Sequence, residues 1–435
     1  MILLVAGALI LGGGGLDSII NPLLLELAAA AMLALLLATS GDVAVERGAA
    51  AMMIVLILGL VLVTLQVVPL PAGLWSALPG RTIAAQGYEL VGASGRWHSL
   101  SLDREATGRS ARALLPAAAA FFGVLCLDYR QRYRLILVIV GIAVAAALVG
   151  MLQFASGSDA LRIYRLTHHG VGVGFFANRN HHADLLLIAA LLGAAVLRWD
   201  PWRRFGTRGR SAALVLLGLF ALGVVTTFSR TGLALLVPVA MLVVLMTVQV
   251  RDRRTLAMLV GAGVLAAALI AWMVQSNAVL GGLLTRFGAQ SDERFSFWPD
   301  VLYAMRLYLP WGSGLGSFDP VFRSVEQLDN VLPAYVVHAH NDYAELALEM
   351  GVPGLVLVVA GVIALGMAAF GRGAIARFRG DPVRVAAVLG LLLLLMHSAI
   401  DYPLRTLTLS TLFAVLAALL VRPAVALPPV ERARA

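Results

Sequence analysis

The chain contains no lysine, so all 33 of its basic residues are arginine. That absence removes the phosphate-gripping lysine of a Walker loop and all Schiff-base chemistry, and with them ATP hydrolysis by an ordinary P-loop. Charge itself is scarce, at 13% of residues against roughly 25% in a typical soluble domain. Hydrophobic residues make up 60%, so lipid rather than water is the main solvent of this fold. Cysteine is nearly missing too. Cys126 alone cannot close an intramolecular disulfide, and its apolar surroundings predict a buried structural thiol.

What is present in quantity is apolar sequence in runs of spanning length, about 20 residues each. Such runs fall near residues 2–16, 21–39, 49–70, 111–128, 133–156, 182–198, 210–229, 231–250, 255–275, 351–370, 382–400 and 404–421. They predict an all-α polytopic membrane protein of about twelve transmembrane helices, with residues 1–435 forming a single integral membrane domain. The opening MILLVAGALILGGGG has no basic region ahead of its apolar run and no clear cleavage site, so it reads as a retained first span.

Arginines cluster in short connections: DYRQRYR (128–134), RWDPWRRFGTRGR (198–210), RDRR (251–254) and RGAIARFRGDPVR (372–384). Twelve spans put all of these on one side, which the positive-inside rule assigns to the cytoplasm. The net charge of +9 is then a topological signal that needs no nucleic acid to explain it. The long connections, 71–110, 157–181 and 276–350, fall on the opposite face. Connections of that length carry function or structure of their own, so the chemistry is expected there. Within the last of them, RFSFWPDVLYAMRLYLPW suits a helix lying in the membrane interface.

Three polar constellations stand on that outer side. The first is VHAHNDYAELALEMGVPG, residues 337–354. Asp342 and Glu345 have the spacing of a capping box, Tyr343 to Met350 make about two turns, and Gly351 suits the residue after a helix before Pro353 opens the next span. His340 would precede that short helix, whose N-terminal dipole disfavours imidazolium and keeps the ring able to accept a proton. His338 and His340 could equally satisfy polar groups of a loop, and as an H-x-H pair they lack a third ligand at metal-binding spacing. Glu345 and Glu349 share a face one turn apart and read as a solvated surface.

The second constellation is arginine: Arg230 in FSRTG, Arg294 in SDERFSFW, Arg179 in FFANRNHHADL and Arg405 in DYPLRTL. Arginine on the outer face runs against the positive-inside bias. Anchoring to lipid phosphates explains it; so does a pyrophosphate clamp, because guanidinium forks grip phosphate oxygens at two points. The third is FANRNHHADLL (176–186), where Asn178, Asn180 and His181 beside Arg179 suit hydrogen bonding to sugar or phosphate, with helix capping by Asn180 the plainer alternative. Ionisable residues are otherwise rare in the spans, and Glu26, Asp184, His397 and Arg405 fall near span ends. That scarcity speaks against an ion-coupled pump.

These residues resemble the O-antigen ligase and polymerase superfamily of bacterial envelope glycosyltransferases. His340-Asn341 followed, after nine intervening residues, by Gly351-Val352-Pro353-Gly354 is similar to the pattern that marks O-antigen ligases, and FSRTG, FANRNHHA and HSAIDYPLR look like other segments of that superfamily. The resemblance implies a GT-C-type glycosyltransferase of the bacterial inner membrane, without metal or other cofactor and with its active site on the periplasmic side. Residues 276–350 would be a periplasmic loop region carrying part of that site. The donor would be an undecaprenyl-pyrophosphate-linked glycan and the acceptor a sugar hydroxyl of lipid A core, with membrane lipids around both. His340 would be the general base, Arg230 and Arg294 would hold the pyrophosphate, and His338 is a second candidate for the base. Asn341, Asp342, Asn178, Arg179, Asn180, His181 and Arg405 would line the substrate site. An O-antigen polymerase, a protein O-oligosaccharyltransferase, or a transporter of lipid-linked sugars or anions remain as alternatives.

Overall fold

The computed structural model describes residues 1–14, 20–39, 46–198, 206–247, 261, 293–331, 336–371 and 381–423. Among them, seven helices are long and apolar enough to cross a membrane: Ile20–Thr39, Arg47–Val67, Tyr129–Ser156, Arg179–Leu197, Arg208–Thr227, Arg230–Thr247 and Asp342–Phe370. Ile2–Leu11, Pro382–His397 and Leu407–Leu419 are shorter apolar helices. The expected run at 111–128 is broken into helices Arg104–Ala113 and Leu115–Leu125. The span expected at 255–275 lies outside the described residues, apart from residue 261.

The helix Arg179–Arg198 is the centre of the bundle. It packs against Tyr129–Ser156, Gly206–Thr227, Arg230–Thr247 and Pro382–His397, and every residue from Leu185 to Leu192 is buried. Small side chains let these helices approach: Gly223 sits against Leu186 and Ala147, and Gly390 against Leu416 and Ile188. Leu407–Leu419 joins this core and packs on Leu115–Leu125 and on Ile2–Leu11. Cys126, expected to be buried, is exposed where it follows the last residue of Leu115–Leu125.

Helix starts follow local chemistry. Asp128 and Gln131 form a reciprocal capping box for Tyr129–Ser156. Asp381 accepts from the amides of Val383 and Arg384 ahead of Pro382, and Thr406 caps Leu407–Leu419. These side chains satisfy amides that have no partner inside the helix.

Described parts of the connections expected at 71–110 and 276–350 are structured and knit together. Pro69–Leu70 pairs antiparallel with His98–Ser99, and Arg81, almost fully buried, donates to Leu100 O (2.6 Å) and Gly312 O (3.1 Å) between the rings of Trp75 and Tyr308. Gln66 donates to Glu349 O at 2.9 Å and accepts from Leu315 N at 2.9 Å. The segment expected to lie in the interface forms helix Glu293–Tyr308. One face of it is buried, with Phe297, Val301, Ala304 and Tyr308 packed on Phe318, Phe322 and Leu348.

Candidate active site

The helix that opens at Asp342 is capped by Asn341, whose side chain accepts from Tyr343 N and Ala344 N, both at 3.0 Å. The capping box expected from Asp342 and Glu345 does not form, because both carboxylates turn inward to other partners. Asp342 Oδ2 accepts from Ser398 Oγ at 2.8 Å, and Asp342 N donates to Ser398 O at 2.8 Å. That reciprocal pair fastens the helix start to the connection that follows Pro382–His397. Gly351, as expected, ends the short first segment; with φ 62° and ψ −153° it kinks the chain before the apolar remainder to Phe370.

Glu345 and Glu349 are fully buried rather than solvated, since Arg405 reaches them. Arg405 Nη1 lies 2.8 Å from Glu349 Oε2 and 3.4 Å from Glu345 Oε1, and Nε lies 3.6 Å from Asp342 Oδ1. Burial weakens the Arg405 charge, but these three carboxylates outweigh it and hold the guanidinium pKa above its ordinary value. Glu345 also binds His338 Nδ1 at 2.9 Å and accepts from Ala339 N at 2.8 Å. For His338, burial again opposes charge, yet the Glu345 carboxylate prevails and raises its pKa. His338 is thus tied into the carboxylate cluster.

His340 has a different partner. Its Nδ1 lies 3.0 Å from Asp401 Oδ1, and its ring meets Tyr402 edge to face at 4.9 Å between centroids. About a quarter of the side chain is exposed, and Nε2 has no protein partner among the described residues. Asp401 is fully buried. Its Oδ1 also accepts from Tyr402 N at 3.0 Å, and Oδ2 accepts from Asn180 Nδ2 at 2.6 Å. Burial raises the pKa of the Asp401 carboxyl, but the His340 hydrogen bond and the imidazoles of His181 and His397 hold it well below the usual range. It is an anion aimed at His340 Nδ1, which leaves Nε2 as the position that can take a proton.

The same carboxylate joins the other two constellations. Asn178, not Asn180, opens the Arg179–Arg198 helix, accepting from Asn180 N at 2.9 Å. Asn180 is thereby turned into the site, where its Oδ1 accepts from Ser229 Oγ at 2.8 Å. Ser229 in turn receives Gly232 N at 3.0 Å and so caps the helix that begins at Arg230. Arg230 is exposed at that helix start, and Arg179 is half-buried beside Asn180. His181 is buried with its ring edge-on to Tyr402 at 5.1 Å. Arg294 lies in helix Glu293–Tyr308, whose Phe297 ring faces His340 at 6.2 Å; the Arg294 side chain is outside the described residues.

Among the described residues, two that are not glycine have left-handed backbone, Phe228 (φ 49°) and His340 (φ 48°). Such a conformation costs of order 1–3 kcal/mol and persists where surrounding contacts impose it. One precedes Ser229-Arg230 and the other is the histidine itself. Asp401, Tyr402 and Ser229 are the site residues that the sequence reading passed over. Asp401 and Tyr402 stand inside the quoted HSAIDYPLR, and a carboxylate four residues after His397 was the available signal.

Comparison with curated proteins gave no match. Residues 212–359 match a family model described as O-antigen ligase. That stretch includes Arg230, Arg294, His338 and His340 and ends before Asp401 and Arg405. Over residues 212–359 this multi-helix chain is therefore similar to the O-antigen ligase family.

Proposed function

We propose that this protein is an O-antigen ligase, a GT-C-type inverting enzyme that works without a metal at the periplasmic face of the inner membrane. It transfers a glycan from undecaprenyl pyrophosphate to a sugar hydroxyl of lipid A core. The observation that carries this reading is the His340–Asp401 pair at 3.0 Å, linked through Asn180 and Ser229 to the turn that bears Arg230.

On this reading Asp401 fixes the proton of His340 on Nδ1, and Nε2 takes the proton of the acceptor hydroxyl as its oxygen attacks the anomeric carbon. The bond from that carbon to the pyrophosphate oxygen breaks, and the electron pair leaves with the pyrophosphate. Attack opposite the leaving group inverts the anomeric centre. Arg230, with Arg294 and Arg179, grips the pyrophosphate and stabilises the charge that gathers on it. Tyr402, His181, Asn178 and Asn341 border the sugar positions. Arg405 and Asp342 serve by holding the His338–His340 segment through the buried carboxylates rather than by contacting phosphate. Two substrates confined to one leaflet spare much of the entropy of bringing them together.

The test is transfer by the purified protein in detergent, given polyprenyl-pyrophosphate glycan and lipid A core. Glycosylated lipid A core is the expected product, lost in His340→Ala and Arg230→Ala. Full transfer by both variants would sink the site assignment. Lengthening of the donor glycan without transfer to lipid A core would make the protein a polymerase.

A further inference from the structure

Behind Asp401 lies a second carboxylate–imidazole pair with no part in the scheme above. His397 Nδ1 lies 2.8 and 2.7 Å from the two carboxylate oxygens of Asp184, and both side chains are fully buried. The opposite nitrogen of that ring, Nε2, is 3.8 Å from Asp401 Oδ2. Carboxylate and imidazole therefore alternate from Asp184 on the central helix through His397 and Asp401 to His340.

Proton counting limits what the inner pair can be. With a single proton, Nδ1–H would serve Asp184, and the Nε2 lone pair would face the Asp401 carboxylate. The buried Asp184 charge would then have no counter-charge in the pair and a lone pair would be turned toward the Asp401 anion, an arrangement that burial penalises heavily. With a second proton the pair is neutral overall. Whether that proton makes His397 an imidazolium or makes Asp184 an acid donating to Nδ1, Nε2 carries an N–H that faces Asp401 Oδ2 across 3.8 Å, an electrostatic contact longer than a hydrogen bond.

We propose that Asp184 and His397 are positioning residues for His340: the pair presents an N–H to Asp401, holding it as an anion aimed at His340 Nδ1. The part they play in transfer rests on the ligase reading; the link between His397 and His340 does not. Among the described residues, the titratable groups facing Asp401 include His340, His181 and His397, with Asp184 behind His397. Around His340 itself, Tyr402 and His181 approach from two sides and helix Glu293–Tyr308 presents Phe297. His338, on the same segment, is engaged by Glu345. Loss of the His397 N–H leaves the Asp401 charge less compensated, so it draws a proton onto His340 more strongly.

Diethyl pyrocarbonate labelling of the detergent-purified full chain, followed by peptide mass spectrometry, reads the titration of His340 without any substrate. In His397→Phe the labelling midpoint of His340 is expected to move to higher pH by about half a unit or more. His397→Gln, which retains an N–H near the Nε2 position, is expected to stay near the parent midpoint. Should the phenylalanine variant fail to fold, His397→Asn replaces it, since its shorter amide can serve Asp184 without reaching Asp401. An unmoved midpoint in the phenylalanine or asparagine variant, or a glutamine variant shifted as far as they are, overturns the proposal. The acid limb of glycan transfer should move with the labelling. If the labelling shifts while His340→Ala transfers glycan at the parent rate, the positioning link stands and the base assignment falls.

Discussion

Asp401 and His340, 61 positions apart, meet at 3.0 Å, and the histidine side of that contact has a left-handed backbone. Neither helix imposes the contact. It is made by two connections, residues 336–341 and the turn after His397, that are stitched together by the reciprocal hydrogen bonds of Asp342 and Ser398. The consequence is a histidine whose Nδ1 is occupied and whose Nε2 has no protein partner among the described residues.

Removing the base should cost what a positioned base supplies, about 10² to 10⁴ in rate. His340→Ala is expected to fall in that range. Asp401→Asn tests the orientation separately, because an amide N–H facing Nδ1 drives the imidazole proton onto Nε2 and blocks it from accepting another. Its kcat should fall at least about 10², while the KM for donor stays near that of the parent. Initial rates at saturating acceptor distinguish the two parameters, and an Asp401→Asn enzyme with unaltered kcat would contradict the tautomer argument.

Arg230 is placed at a helix start by Ser229, so its guanidinium has a fixed origin. A lysine there keeps the charge and loses the two-point fork. Arg230→Lys is expected to raise the KM for the pyrophosphate-linked donor about tenfold or more, equal to about 1.4 kcal/mol, and to leave the KM for acceptor unchanged. Equal effects on both substrates would mean that the residue shapes the site without touching pyrophosphate.

Much of this arrangement was legible in the sequence for simple reasons. Hydropathy marks spans because every buried peptide group in lipid must be paired within its own helix, and Gly351 before Pro353 marked the kink because left-handed backbone selects glycine. What the sequence hid was long-range pairing. Arg405 read as a phosphate ligand because its three carboxylates lie 56 to 63 positions away, and periodicity says nothing of such partners. Glu345 and Glu349 read as solvated for the same reason. Asn180 read as either a substrate ligand or a helix cap; Asn178 fills the cap and leaves Asn180 for Asp401.

The His338–Glu345 pair gives stability a pH dependence of known sign. The His338 pKa is raised in the folded protein above an unfolded value of about 6.5. Its contribution is therefore complete below about pH 6.5 and lost as pH rises through the folded value. Asp401 has the opposite dependence: its pKa is lowered on folding, so its contribution is lost only in strong acid, below the unfolded aspartate value of about 3.9. Thermal unfolding of the parent and His338→Gln, followed from about pH 5.5 to about pH 9, should show a gap that is widest at the acid end and narrows with rising pH. A constant gap would mean that His338 acts through packing alone.

Gly351 sets the angle between the segment that carries Glu345 and Glu349 and the apolar helix beyond. Its φ of 62° with ψ of −153° lies where a side chain is scarcely tolerated, a conformation worth about 1–3 kcal/mol of strain for any other residue. Space is also closed, since a Cβ there would collide with the Pro310 carbonyl oxygen. That oxygen cannot retreat freely, because it accepts from Val352 N at 2.9 Å. Gly351→Ala should therefore unfold well below the parent temperature, and the displaced segment should loosen the grip of Glu345 and Glu349 on Arg405, lowering transfer as well. Val352→Ala is the control, as its side chain is 46% exposed and its removal disturbs no kink. If the two alanine variants melted together at the parent temperature, the kink would not be fixed by the glycine, and the carboxylate cluster would have to be held in place by Arg405 alone.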